Sequence, residues 1–287
     1  MMRKKQVAWL AVAVALTGTA CSATGPPSAG DHTCLTATAT IAGVTANTPV
    51  GQWLTKTPFY VAHRGGDASW VEGTADAYGN AAKWNPDLAL EVPVWLSADG
   101  VWVVSEDPTT GRVFNADHTI ASTTWATLST LRTKVGNLPM ARLVDDVLKP
   151  YGSTRILFID NKSDLHVKDF FDLLDSYAGA KRYISKGYFQ SKHTALEAHR
   201  RGYLTWGYYE SADMEHFVDT QSAFDLVGLD YSATVSDFDA IQQADKPLIA
   251  YMIRDHATEA QAACDGASGF MVSAVREVVP QVPPPQG

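Results

Sequence analysis

Eight short β-rich runs that do not alternate apolar with polar residues recur along the chain, and they constrain its fold more than any other feature. They cover residues 59–62, 88–95, 155–159, 184–189, 203–209, 226–229, 248–253 and 269–273. Helical stretches lie between several of them, at 167–177, 192–201, 213–221 and 257–265. Strands apolar on both faces belong to a parallel sheet covered on both sides. Eight βα units in one stretch predict an α/β fold, a single-domain TIM (β/α)8 barrel with its chemistry where the strands end. An open doubly wound sheet is the alternative. It would usually need a phosphate loop, and neither G-x-G-x-x-G nor G-x-x-x-x-G-K-[ST] occurs.

The two ends read differently from the middle. Arg3, Lys4 and Lys5 precede an apolar run from Val7 to Leu16, and Gly18-Thr19-Ala20 leads into Cys21. Residues 1–20 are therefore expected to be an export signal, too short to span a bilayer. The small residues before Cys21 suggest lipid attachment at that cysteine, although Gly18 stands where such signals usually have leucine; plain cleavage after Ala20 is the alternative. Residues 21–33 are expected to be a tether, 34–278 the barrel and 279–287 a proline-rich tail. The expected location is the outer face of a bacterial cell membrane, or secreted.

The chain has three cysteines: Cys21, Cys34 and Cys264. With Cys21 lipidated, Cys34 and Cys264 remain as an expected disulfide in an oxidising compartment. The net charge is −8 and the proposed signal carries three positive charges, so the processed chain is at −8 − 3 = −11. That argues against a nucleic-acid partner. Membrane contact is expected through the lipid anchor only. An anionic substrate would need local cations to hold it.

Such cations cluster at predicted strand ends. His63-Arg64-Gly65-Gly66 follows the first run, offering a proton carrier, an anion clamp and room for close backbone approach. Glu91 falls near the end of the second. Asp160 and Lys162 lie two apart at the end of the third, hence on one face. No H-E-x-x-H, C-x-x-C or G-x-S-x-G occurs, which disfavours zincins, dithiol redox centres and common serine hydrolases.

Here the sequence resembles the glycerophosphodiester phosphodiesterases. Tyr60-Val61-Ala62-His63-Arg64-Gly65-Gly66, then Glu72-Gly73-Thr74 and Ala77, is similar to that family's H-R-G and E-N-T opening. Leu90-Glu91-Val92-Pro93-Val94 and Asp99-Gly100-Val101-Trp102-Val103-Val104 are similar to its next block. Glu106-Asp107-Pro108-Thr109-Thr110-Gly111-Arg112 keeps register with H-D-P-T-x-x-R, and Asp160-Asn161-Lys162 with E-x-K. The resemblance implies a TIM barrel that splits glycerol phosphodiesters into a phosphomonoester and an alcohol with a divalent cation, calcium or magnesium. It implies His63 as acid/base, Arg64 and Lys162 as phosphate contacts, and Glu91 and Asp160 as metal ligands.

Four positions depart from the pattern. Pro93 replaces the aspartate of E-x-D, Glu106 the second histidine, Asp160 a glutamate, and Ser273 stands near where the last strand often offers an aspartate. Glu106 can serve as acid/base only if burial lifts its pKa by a few units, or it can restore lost metal charge. Trp70 and Trp206 are candidates for stacking on a polyol, against the commoner fate of core packing. Two functions remain open: an exported metal-dependent phosphodiesterase acting on a small-molecule phosphodiester or polyol head group, and a degenerate barrel that binds ligands or scaffolds the envelope.

Overall fold

The computed structural model describes residues 47–282. Its nine strands are β1 (Phe59–Ala62), β2 (Ala89–Leu96), β3 (Trp102–Val104), β4 (Leu157–Asn161), β5 (Tyr183–Tyr188), β6 (Leu204–Tyr209), β7 (Leu226–Asp230), β8 (Leu248–Ile253) and β9 (Gly269–Val272). Eight are parallel in the order β1-β9-β8-β7-β6-β5-β4-β2, and pairing of β1 with β2 closes the barrel. The expected (β/α)8 fold is thus the observed one. β3 is an addition, antiparallel to the far half of β2 through Leu96↔Trp102.

Period-two alternation sorts each strand between two cores. Phe59, Val61, Ala89, Phe158, Ile184, Trp206, Leu226, Ile249 and Met271 fill the barrel interior. The alternate residues pack outward against the helices. The floor is closed by the short helix Pro49–Leu54, started by Pro49 and a Thr48 side chain that accepts from the Gly51 N–H. Its Trp53 packs on Phe59 and Phe158 with ring centroids 4.6 and 5.8 Å away, and its indole N–H donates to the Asp87 carbonyl at 2.7 Å.

Two full helices escape the sequence pattern, Ala75–Trp84 and Val235–Gln243. The expected helix at 213–221 is instead a 3-10 turn at Ser211–His216 followed by the single turn Phe217–Thr220. The first four residues of the proline-rich tail are pinned: Trp84 donates to the Val279 carbonyl and Val282 N–H to the Trp84 carbonyl, at 2.8 and 2.9 Å. The expected signal, tether, Cys21 and Cys34 lie outside the described residues. Cys264 is disulfide-bonded. Among the described residues no helix is long and apolar enough to cross a membrane.

Between β3 and β4 the chain makes an excursion with its own small core of Val103, Phe114, Ile120, Leu128, Leu131 and Met140. This subcore carries Glu106 and Arg112 to the barrel mouth.

Candidate active site

The interior-facing series continues past the apolar layer into charge. Val61 is followed by His63, Ala89 by Glu91, Phe158 by Asp160 and Lys162, and Ile184 by Lys186. Near the C-terminal ends of the barrel strands these residues close into a ring of alternating sign. The Arg64 backbone N–H donates to Glu91 Oε2 at 2.6 Å, and Glu91 Oε1 lies 3.3 Å from Lys186 Nζ. Lys186 donates to Asp160 Oδ2 at 2.6 Å. Asp160 also meets Lys162 at 3.3 Å, Lys162 donates to Glu106 Oε1 at 2.8 Å, and that oxygen lies 3.4 Å from Arg64 Nη2. Every charged residue expected at the site therefore converges on one place.

His63 opens a 3-10 turn directly after β1 and is 6% exposed. Its Nδ1 lies 3.1 Å from Asp67 Oδ2 and 3.5 Å from Ser273 Oγ at the end of β9. A carboxylate on one ring nitrogen fixes tautomer and orientation and leaves the other for proton exchange. Burial works to raise the Asp67 carboxyl, but hydrogen bonds from His63 and Ser273 and the nearby Arg64 hold it below the usual range. The sequence reading missed Asp67, although its spacing of four from His63 was a usable signal.

The turn forces unusual backbone. Arg64 itself is left-handed at φ 50°, ψ 34°, followed by Gly65 and Gly66 at φ 79° and 93°. A Cβ on Gly66 would sit 2.8 Å from Val275 Cγ2 and 3.0 Å from the Trp70 ring, so glycine is required there. The Arg64 side chain is clamped by Glu72 at 3.1 Å, and Glu72 also binds Arg112. Arg64 Nε is buried and lacks an acceptor among the described residues.

Glu106 is where the expectation of an acid fails. Burial tends to raise its pKa, but Lys162, Lys186 and Arg64 pull it down to about 2. A carboxyl held ionised by three cations cannot deliver a proton near neutral pH. Trp206 is also corrected: it is 1% exposed inside the barrel, against Phe158 and Tyr251, and cannot stack on substrate. Trp70 does line a cleft of about 460 Å³ beside the ring, together with Asp67, Glu72, Arg112 and Lys134.

Lys186, absent from the sequence reading, decides whether the expected cation fits. Burial lowers its pKa, but Asp160 and Glu91 outweigh this and hold it above the ordinary lysine value, so it is an ammonium. It occupies the space between the two carboxylates assigned to the metal, Pro93 brings no carboxylate, and Glu106 is spent on Lys162 and Arg64. No group of three or more acidic, histidine or cysteine side chains among the described residues could hold a metal. An added ion would also repel the ammonium, by about 4 kcal/mol per unit charge at 4 Å and an effective dielectric constant of 20. The residues present do not fit a divalent cation.

The chain is thus an eight-stranded parallel (β/α)8 barrel with a buried histidine and a cation-rich ring at its mouth. Residues 63–177 match the model of the Glycerophosphoryl diester phosphodiesterase family. The fold is similar to that of an Oleispira antarctica phosphodiesterase solved with its product sn-glycerol-3-phosphate, at TM-score 0.66 and 17% identity over 77% of this chain and 95% of the other. A glycerophosphoryl diester phosphodiesterase from Parabacteroides distasonis gives 0.62 and 15%, covering 82% and 94%. A glycerophosphodiester phosphodiesterase from Agrobacterium tumefaciens gives 0.60 and 16%, covering 75% and 96%. No curated protein matches the sequence.

Proposed function

We propose that the chain is an exported phosphodiesterase that hydrolyses a glycerophosphodiester-like small molecule to a phosphomonoester and an alcohol. The observation that carries this reading is the pairing of the His63–Asp67 couple with the buried, unpartnered Nε of Arg64 beside it. A buried guanidinium donor without an acceptor is costly, and a phosphoryl oxygen supplies one. Lys162 stands on the same ring and adds positive potential. The sn-glycerol-3-phosphate held by the Oleispira antarctica relative supports a substrate of that chemistry.

His63 moves the proton. Attack of an oxygen nucleophile on phosphorus breaks the bond to the leaving alkoxide; the proton taken from the nucleophile passes through the imidazole and ends on the alcohol. With Glu106 locked as a carboxylate, the second proton carrier of the family pattern has no counterpart here. No step is assigned to calcium or magnesium, since the ring does not fit such an ion. The signal at 1–20 and Cys21 support export with a lipid anchor on the outer face of the membrane.

The test uses the processed chain from Cys21, incubated with glycerophosphocholine and glycerophosphoethanolamine and followed by phosphorus NMR. The expected result is glycerol phosphate plus the free alcohol, abolished in His63→Asn. A cyclic phosphate would assign a transfer reaction instead. Absence of any product together with retained binding of sn-glycerol 3-phosphate would establish the ligand-binding lipoprotein. Fractionation of cells expressing Cys21→Ser tests the anchor: the variant is expected in the medium and the wild type in membranes.

A further inference from the structure

We infer that the Lys186 ammonium permanently holds the place between Glu91 and Asp160 that the resemblance gives to a divalent cation, so this chain handles its phosphodiester without a metal. The inference rests on the phosphodiesterase reading and specifies how its site is charged.

Four observations carry it. Lys186 reaches the position by strand geometry alone: Ile184 faces the barrel interior, so the residue two further along β5 does too. Its ammonium is enclosed, with Asp160 Oδ2 at 2.6 Å, Glu91 Oε1 at 3.3 Å, and the Tyr208 and Trp206 rings 4.3 and 5.4 Å from Nζ. These are the surroundings of a structural cation, anionic on one side and π-faced on another. The six ring residues also balance in formal charge: Glu91, Asp160 and Glu106 face Arg64, Lys162 and Lys186, while Glu91 Oε1 and Glu106 Oε2 are buried without a hydrogen-bond partner among the described residues. Finally, Pro93 withholds the carboxylate that the resemblance expects two residues after Glu91, so the space between Glu91 and Asp160 holds only those two acidic groups and the Lys186 ammonium.

A lysine differs from a bound ion in what it can do. It neutralises the two carboxylates and projects positive potential on the mouth, but it offers no open coordination position. Arg64 and Lys162 are therefore left to contact the phosphoryl oxygens, with Lys186 setting the field behind them.

The experiment strips the processed chain with EDTA and measures thermal unfolding with added calcium, magnesium or manganese, binding of sn-glycerol 3-phosphate by calorimetry, and turnover by phosphorus NMR. The wild type is expected to show no melting shift with any divalent ion, and the same product affinity and turnover with and without EDTA. Lys186→Met leaves two buried carboxylates facing each other. It is expected to lose product affinity in EDTA and to gain a divalent-dependent rise in melting temperature. Lys186→Arg keeps the charge and is expected to gain no such rise; it serves if the methionine variant does not fold. A divalent-dependent rise in the wild type that disappears in Asp160→Asn overturns the inference. So does turnover that EDTA abolishes and calcium restores. If no substrate is turned over under any condition, the functional reading fails, while the melting titrations still decide the role of Lys186.

Discussion

Lys186 Nζ and Asp160 Oδ2 meet at 2.6 Å inside the mouth of the barrel, both side chains almost wholly buried. The contact joins neighbouring strands β4 and β5, whose register sets Asp160 opposite Lys186. It fixes the electrostatics of the whole ring, because each remaining charge is placed relative to this pair.

His63→Asn is expected to lower turnover by roughly 10²–10⁴-fold, the usual contribution of a positioned proton carrier. Asp67→Asn should lose less and leave sn-glycerol 3-phosphate binding nearly intact, since it alters the tautomer and aim of the imidazole rather than the anion contacts. Steady-state kinetics beside calorimetry separates the two effects. Loss of binding in Asp67→Asn would contradict the orienting role.

Glu106 should make stability depend on pH. Its pKa falls from an ordinary 4.5 to about 2 on folding. A depressed carboxyl stabilises the fold above its unfolded value and loses that contribution as pH drops through its folded value. The stability gap between wild type and Glu106→Gln is therefore expected to be full at neutral pH, about 1–3 kcal/mol for a broken buried partner. It should close between pH 4.5 and about 2. Urea titrations across that range measure it, and a constant gap would refute the ion-paired assignment.

Gly66→Ala is expected to cost about 1–2 kcal/mol for the left-handed backbone, and about 1–3 more for the clash with Val275 and Trp70. Chemical denaturation reads the sum. A variant as stable as wild type would mean that the turn after β1 is not held in the observed conformation.

Trp206→Ala should destabilise by about 3–5 kcal/mol, as loss of a large buried aromatic does. A stacking platform for substrate would instead show unchanged melting and a raised KM.

The barrel was legible in the sequence because strands buried on both faces leave continuous apolar runs, and the seven long gaps between them leave room for crossovers. Asp160 and Lys162 were legible for the same reason, sharing one face by spacing. Lys186 was passed over because no motif contains it, yet a lysine two residues beyond Ile184 on a doubly buried strand demands an acidic partner. Trp206 was misplaced by depth: Tyr208 sits one layer nearer the mouth, and period two places both rings inside. The helix Val235–Gln243 carried a signal that went unread, the capping box of Thr234 and Asp237. Helix Ala75–Trp84 is rich in alanine and weakly amphipathic, and only its Thr74 cap marks it. The ion pairing of Glu106 could not be read locally, since Lys162 lies 56 residues away and the subcore that delivers Glu106 has no strand pattern.

Arg64 touches the ring twice, through its main-chain N–H to Glu91 and through its guanidinium to Glu72 and Glu106. The first contact belongs to the peptide link and survives any side chain that tolerates the left-handed turn; the second belongs to arginine alone. Architecture and anion affinity are thus written separately at one position, so selection could retune what the mouth attracts by a single exchange without remodelling the loop that frames it.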